Sequence, residues 1–424
     1  MERFRHLLAE VLPRNRFYAR KYADLAIRPE EFREAADLAR LPFLTKAELI
    51  ADQLAHPPYG AIHTYPIANY CRLHQTSGTT SGKALCWLDT PESWEWLLRC
   101  WQDIFRSIGL TEGDRCFFPF SFGPFLGFWT AFEAASRIGC LCLPGGGMSS
   151  TARLRFLIDH EATAIFCTPT YALHLAELAE KEGIDLAGSS VRTILVAGEP
   201  GGSIPSTRQR IESVWGARVF DHYGMTEAGP VAIETVAAPC DLLVLDDHHI
   251  AEAIDPLGDK PVADGQIGEL VLTNLGRAGS PLIRYRTGDL VKMRNANRMD
   301  HSAVYLAGGV LGRTDDMIYI RGNNFYPAAI EAVIRRFPEV VEFRLVVDES
   351  SSLSDLRIEV EPSPSSNGTA VADAVGRAIR DELLFRVEVV AVGPGTLPRF
   401  EMKARRIVRN NEMVTEKRDR NRKL

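Results

Sequence analysis

Two short apolar runs, Thr163-Ala164-Ile165-Phe166-Cys167 and Thr193-Ile194-Leu195-Val196-Ala197, place the tightest limit on the fold of this chain. Each is rich in β-branched or aromatic residues and stops at a Gly or Pro turn, which marks a buried strand. Between them, Ala172 to Gly183 carries helical spacing. Strand–helix–strand alternation continues through residues 1 to 314 and predicts a large layered α/β domain with parallel strands. Ligands of such sheets bind outside the carboxyl ends of the strands. Gly198-Glu199-Pro200-Gly201-Gly202 follows one such end. It is a candidate pocket wall, with Glu199 a candidate nucleotide contact; a plain turn is the alternative.

Residues 315 to 424 read differently, as a small α+β lid domain. Pro327 can open a helix at its first position, and Ile330, Val333, Ile334 and Phe337 keep helical spacing. Val340 to Val347 and Leu356 to Val360 predict paired strands, Thr369 to Phe385 a second helix, and Val387 to Val392 a last strand.

The segment Gln75-Thr76-Ser77-Gly78-Thr79-Thr80-Ser81-Gly82-Lys83 holds five hydroxyls, two glycines and a lysine. Backbone N–H groups, hydroxyls and one cation can together wrap phosphate oxygens, and glycine permits the φ > 0 turns this needs. A P-loop does not fit, because the glycine spacing is short and Ala84 follows the lysine where a metal-binding Ser or Thr is required. Taken alone, the segment is equally readable as a surface loop.

Three later segments decide between these readings: Asp221-His222-Tyr223-Gly224-Met225-Thr226-Glu227, Tyr285-Arg286-Thr287-Gly288-Asp289, and Gly312-Arg313-Thr314-Asp315-Asp316-Met317. With the glycine-rich segment, in this order, they resemble the signature motifs of the adenylate-forming (acyl-CoA synthetase) superfamily. Leu41-Pro42-Phe43-Leu44-Thr45-Lys46, Pro281-Leu282-Ile283-Arg284 and Arg321-Gly322-Asn323-Asn324-Phe325-Tyr326-Pro327 are similar to segments of its phenylacetate–CoA ligase branch. The resemblance implies an ATP-dependent carboxylate activation followed by thioester formation, with ATP, Mg²⁺ and coenzyme A.

It also implies roles for particular residues. Thr76 to Lys83 would cradle the departing phosphates. Tyr223 and Gly224 would lie against adenine, and Asp221 would meet its amino edge. Thr226 would donate to the α-phosphate and Glu227 would hold Mg²⁺, a hard ion suited to carboxylate and phosphate oxygens. Asp289 would accept from both ribose hydroxyls, beside Arg313. The small domain would turn about Asp315. Leu397 to Arg406 resembles the lysine motif of the small domain, putting Lys403 in the catalytic position. The family usually has Gly before this lysine, where this chain has Met402. Phe120, Phe122 and Phe125, in a run broken by Gly123 and Pro124, would line the acyl pocket with Ala228, Gly229 and Pro230. That points to an aryl or arylacetic acid.

Composition narrows the rest. Hydrophobic content of 46% with 25% charged residues is that of a globular protein, and 424 residues call for more than one core. A net charge of −6 argues against broad nucleic-acid binding. No apolar run reaches the length of a membrane span. The eight cysteines include no C-x-x-C pair, which suits reduced thiols in a cytoplasmic protein. Relatives often carry a cysteine-rich structural zinc site. Here Asp241 to Gly312 has no cysteine, leaving Cys240, His248 and His301, fewer than the four ligands of a closed site. Two other functions share these motifs: transfer of the activated acyl group to a carrier protein or an amine, and nucleotide binding without catalysis. A homodimer is left open.

Overall fold

The computed structural model describes residues 1–76, 84–297, 302–316, 318–320, 323–348, 355–400 and 404–409. Among these residues, eleven strands join in one sheet that changes character halfway across. Leu141–Pro144, Arg115–Phe118, Ala164–Cys167, Thr193–Ala197 and Arg218–Met225 lie side by side in parallel. From Arg218–Met225 onward every pairing is antiparallel, through Gly229–Thr235, Ala238–Val244, Ser302–Arg313, Tyr285–Asn297, Ile267–Asn274 and His249–Ile254. The parallel half is covered by helices, so a strand such as Ala164–Cys167 is buried along its whole length.

Local chemistry fixes the connections. After Ala164–Cys167, Thr168 caps the helix Pro169–Glu182 by accepting from the Tyr171 N–H, and Pro169 occupies its first position. Gly183 ends it in the left-handed conformation at φ 67°. The long helix Pro91–Ile108 is built alike, from Thr90 to Gly109. The helix Pro169–Glu182 returns the chain from Ala164–Cys167 to Thr193–Ala197, so that these parallel strands end on the same edge. Phe118, Pro144, Cys167, Ala197 and Met225 are the last residues at that edge.

The N-terminal helices Glu2–Val11, Arg16–Lys21 and Lys46–Ala55 pack against the antiparallel half. Phe4, Leu8, Tyr18, Phe32 and Leu44 share one hydrophobic core with Val231, Leu272, Ile283, Tyr285 and Leu306. The Tyr18 hydroxyl locks this arrangement, donating to the Pro281 carbonyl at 3.1 Å and accepting from the Ile283 N–H at 3.0 Å.

A second, smaller sheet has its own core. Val340–Asp348 and Asp355–Pro362 are antiparallel, flanked by the parallel edge strands Ile407–Arg409 and Glu388–Ala391. Helices Pro327–Ile334 and Gly368–Leu383 bury Ile330, Val333, Val375 and Ile379 against Phe343, Leu345, Ile358 and Val360. No helix among the described residues is long and apolar enough to cross a membrane.

Candidate active site

The carboxyl edge of the parallel strands carries the candidate residues, and the strand Arg218–Met225 does most of the placing. It lies where the sheet turns from parallel to antiparallel, so its far end has a strand neighbour on one side and a cleft edge on the other. Asp221 is buried on this strand. Its N–H donates to Glu234 Oε2 at 3.1 Å, and its Oδ2 accepts from the Ser203 hydroxyl at 2.6 Å. Burial raises the Asp221 pKa, and the Ser203 hydrogen bond works against that. Arg208 pairs with Glu234 beneath it; burial nevertheless pushes Glu234 up to about 7. Gly202 is obligatory here, because a Cβ on it would sit 2.5 Å from Asp221 Cγ.

Tyr223 is half-buried and donates its hydroxyl to Asp289 Oδ2 at 2.5 Å, while Arg313 Nη1 donates to Asp289 Oδ1 at 2.7 Å. A carboxylate offers about four lone-pair positions. The Tyr223 hydroxyl and Arg313 thus take one position on each Asp289 oxygen. The turn that presents Asp289 depends on Gly288 at φ 77°, where a Cβ would meet Arg313 Nη2 at 3.0 Å. Arg313 also forks onto Asp315, at 2.8 and 3.1 Å. Asp315 is exposed, at the point where the large sheet ends.

Thr226 and Glu227 stand just past the end of Arg218–Met225. Their backbone is held by a residue that no motif in the sequence marks. Arg277, fully buried, donates to the Thr226 carbonyl at 2.8 Å and the Glu227 carbonyl at 2.7 Å. Its other nitrogens grip both oxygens of buried Asp89 at 2.6 Å. The Glu227 side chain, 4% exposed, lies 3.3 Å from Lys46 Nζ and accepts from the Tyr285 hydroxyl at 3.5 Å. A buried carboxylate is the hard oxygen ligand that Mg²⁺ takes, and an ion held by Glu227 would share it with the Lys46 ammonium. Lys46 belongs to the Leu41–Lys46 segment, and no role was expected of it from sequence.

The aromatic loop closes over the same point. The Leu126 N–H reaches the Thr226 hydroxyl at 3.5 Å, and the Pro124 carbonyl accepts from the Gln75 N–H at 2.6 Å. The residues expected to line the acyl pocket differ in burial. Phe120 is packed into the core against Phe122 and Phe128, with ring centroids 4.6 and 5.5 Å away, and Ala228 is fully buried. Both are held by core packing, which rewards burying an aromatic ring on all sides. Phe122 and Phe125 lie at the margin of that core, half-buried. Gly229 and Pro230 begin the strand after Thr226 and are buried.

Thr76 spends its groups on its own turn: its N–H donates to the Leu85 carbonyl, and its hydroxyl accepts from the Leu85 N–H, both at 3.0 Å. Ser77, Gly78, Thr79, Thr80, Ser81, Gly82 and Lys83 lie outside the described residues, as does Lys403. Next to the latter, the Ala404 N–H donates to Glu199 Oε2 at 2.6 Å, which ties the small domain to the Gly198–Gly202 turn. Cys240 and His248, proposed as remnants of a zinc site, have different neighbours. Cys240 lies beside Arg208 and Glu234, whereas His248 bonds Asp103 at 2.7 Å; His301 lies outside the described residues.

Comparison with known proteins agrees with this geometry. The family model described as AMP-binding enzyme matches residues 46–277, and that of the AMP-binding enzyme C-terminal domain matches residues 322–411. The phenylacetate–coenzyme A ligase of Pseudomonas putida is 30% identical over 95% of this chain and 92% of its own length. That of Escherichia coli K12 is 30% identical over 92% of this chain and 89% of its own. A 2-hydroxyisobutyryl-CoA ligase crystallised in the postadenylation state with R3-HIB-AMP is 28% identical. It covers 100% of this chain and 91% of its own, with a TM-score of 0.90. The same ligase with 2-HIB-AMP and CoA, in the thioesterification state, is 29% identical over 99% of this chain and 91% of its own, with a TM-score of 0.71.

Proposed function

This chain belongs to the AMP-binding enzyme family, and we propose that the acid it activates is an aryl or arylacetic acid. It is an AMP-forming acid–CoA ligase. A carboxylate oxygen attacks the α-phosphorus of ATP, the bond to the bridging oxygen breaks, and pyrophosphate leaves. The sulfur of coenzyme A then attacks the acyl carbon, its proton is lost, and AMP departs.

Both partners in the first step are anions, so the protein must hold them in line and cancel charge. In our reading Tyr223 and Gly224 face the adenine, with Asp221 toward its amino edge. Asp289 takes the ribose hydroxyls and Arg313 stands beside them. Thr226 donates to the α-phosphate, and the 77–83 segment receives the departing phosphates. Glu227 would hold Mg²⁺, whose charge offsets that of the phosphates when bound. Lys403 supplies a cation between carboxylate and α-phosphate, and Asp315 is the pivot that later withdraws it. The observation that carries this assignment is the meeting of Thr226, Glu227, Asp289 and Arg313, from three separate segments, at one edge of the sheet.

The aryl preference rests on Phe122 and Phe125, in the loop whose Leu126 N–H reaches Thr226, and on the likeness to phenylacetate–coenzyme A ligases. Ring–ring geometry contributes about 0.5–1.5 kcal/mol beyond burial, up to about tenfold in kcat/KM. CoA-dependent AMP release with phenylacetate, benzoate and hexanoate tests it. The aromatic acids should lead; hexanoate used best would overturn the aromatic pocket and leave the ligase activity standing.

A further inference from the structure

The small domain meets the large one along the helix Pro169–Glu182 and at Arg210, whose Nη1 donates to the Val340 carbonyl at 3.2 Å, and Glu199 makes the contact to the segment after Lys403. Glu199 Oε1 accepts the Thr170 N–H in the first turn of that helix, at 2.9 Å. Its other oxygen accepts the Ala404 N–H at 2.6 Å. One carboxylate thus bridges two backbone donors, one from each domain. Alongside, Arg406 Nη2 donates to the Thr170 hydroxyl at 2.9 Å. Two turns along, Glu177 Oε2 lies 3.5 Å from Arg399 Nε. Both arginines also have partners within the small domain: Arg406 has Glu342 at 2.7 Å, and Arg399 has Glu361 at 2.7 Å.

That asymmetry sets which contact discriminates. If the small domain turns away, Arg406 and Arg399 stay paired, so their charges are never left uncompensated. Ala404 loses the only charged acceptor its N–H has among the described residues. Hydrogen bonds to ionised acceptors are roughly twice as strong as neutral ones. The domain arrangement is also that of the related ligase after adenylation, and fits its thioesterification state less well. We propose that Glu199 is a positioning residue that selects the acid-activating orientation of the small domain by capturing the backbone at Ala404. The proposal rests on the ligase reading above and adds to it the residue that biases the enzyme toward its first half-reaction.

The test compares Glu199→Ala and Glu199→Gln with the wild type in the full chain. Three quantities are read: acid-dependent pyrophosphate release, thioester formation from a synthetic acyl adenylate plus CoA, and hydrogen–deuterium exchange of the segment containing Ala404. Adenylation should fall about 10- to 100-fold, the range of a lost hydrogen bond to a charged group. The ratio of the two half-reaction rates should shift at least about tenfold, and Ala404 should exchange faster. The Gln variant should behave like Ala, since its amide cannot accept both N–H groups. Thr170→Val, which breaks the neighbouring Arg406 contact, should shift the ratio the same way and serves if Glu199→Ala does not fold. Equal loss in both half-reactions, or unchanged exchange at Ala404, would overturn the proposal. A wild-type chain that activates no acid would instead sink the ligase reading, and Ala404 exchange would still decide the contact.

Discussion

The Thr226–Glu227 segment and the Arg399–Arg406 segment serve one site but are held in opposite ways. The first hangs on Arg277, fully buried, with both oxygens of an equally buried Asp89 and two backbone carbonyls in its grip. The second touches the large domain through single hydrogen bonds and one ion pair at 3.5 Å, and its charges are neutralised at home first. Buried pairs are costly to break because the surviving charge has nowhere to go. Contacts whose charges keep a second partner can be made and released cheaply. A site that runs two different reactions needs one half of each kind: a fixed platform for the nucleotide and a movable arm.

The sharpest way to break this contrast is to loosen the platform. Arg277→Met leaves Asp89 buried without its partner and should cost about 3–5 kcal/mol. Urea unfolding should show the loss, and both half-reactions should decline together. A stability change below about 1 kcal/mol would mean that the clamp is not what fixes the platform.

Next comes the arm. Lys403→Ala should slow adenylation by about 10²–10³, the usual consequence of removing one preorganised charge-stabilising group, without a comparable fall in stability. Pyrophosphate exchange at near wild-type rate would reassign the cation to another residue.

The smallest effect probes the platform alone. His222 lies on the Arg218–Met225 strand, 4.6 Å from the Trp101 ring, with Nδ1 2.9 Å from the Ala232 carbonyl. Burial holds its pKa down to about 4. In the unfolded chain an imidazole binds its proton near pH 6.5, so between about pH 6.5 and 4 the unfolded state carries the extra proton. Stability is therefore retained above pH 6.5 and lost as pH falls toward 4, by about 1.4 kcal/mol per unit. Between pH 6.5 and 5 this amounts to about 2 kcal/mol, which His222→Gln should remove from the pH dependence of the urea midpoint. An identical pH slope in both proteins would show that His222 is not buried as a neutral ring.

Much of the frame was legible because it is written locally. The run Thr163–Cys167 became the strand Ala164–Cys167, and the helix expected from Ala172 begins at Pro169 because Thr168-Pro169 is a cap followed by a first-turn proline. Asp289 and Arg313 were readable from motifs, and their ion pair was not. Arg277 was missed for a different reason: its partner is 188 residues away, and a single arginine in Leu275-Gly276-Arg277-Ala278-Gly279 carries no periodic signal. The available hint was its place directly after the apolar strand Ile267–Asn274. How deeply Phe120 is buried was not legible, because a Gly- and Pro-broken aromatic run reads the same whether its rings line a cavity or fill a core.

The shared core of the N-terminal helices and the antiparallel half also orders events during synthesis. Phe4, Leu8, Tyr18 and Phe32 leave the ribosome well before partners that cover them between Ala228 and Leu306. At about 5–20 residues per second, the opening helices wait roughly 10–50 s for that surface. The parallel strands from Arg115 to Ala197 are complete well before then. The nascent chain therefore spends this interval with four parallel strands made, the residues from Asp221 to Arg313 still incomplete, and the apolar faces of the N-terminal helices uncovered. Over that interval, chaperone demand falls on the apolar faces of these helices.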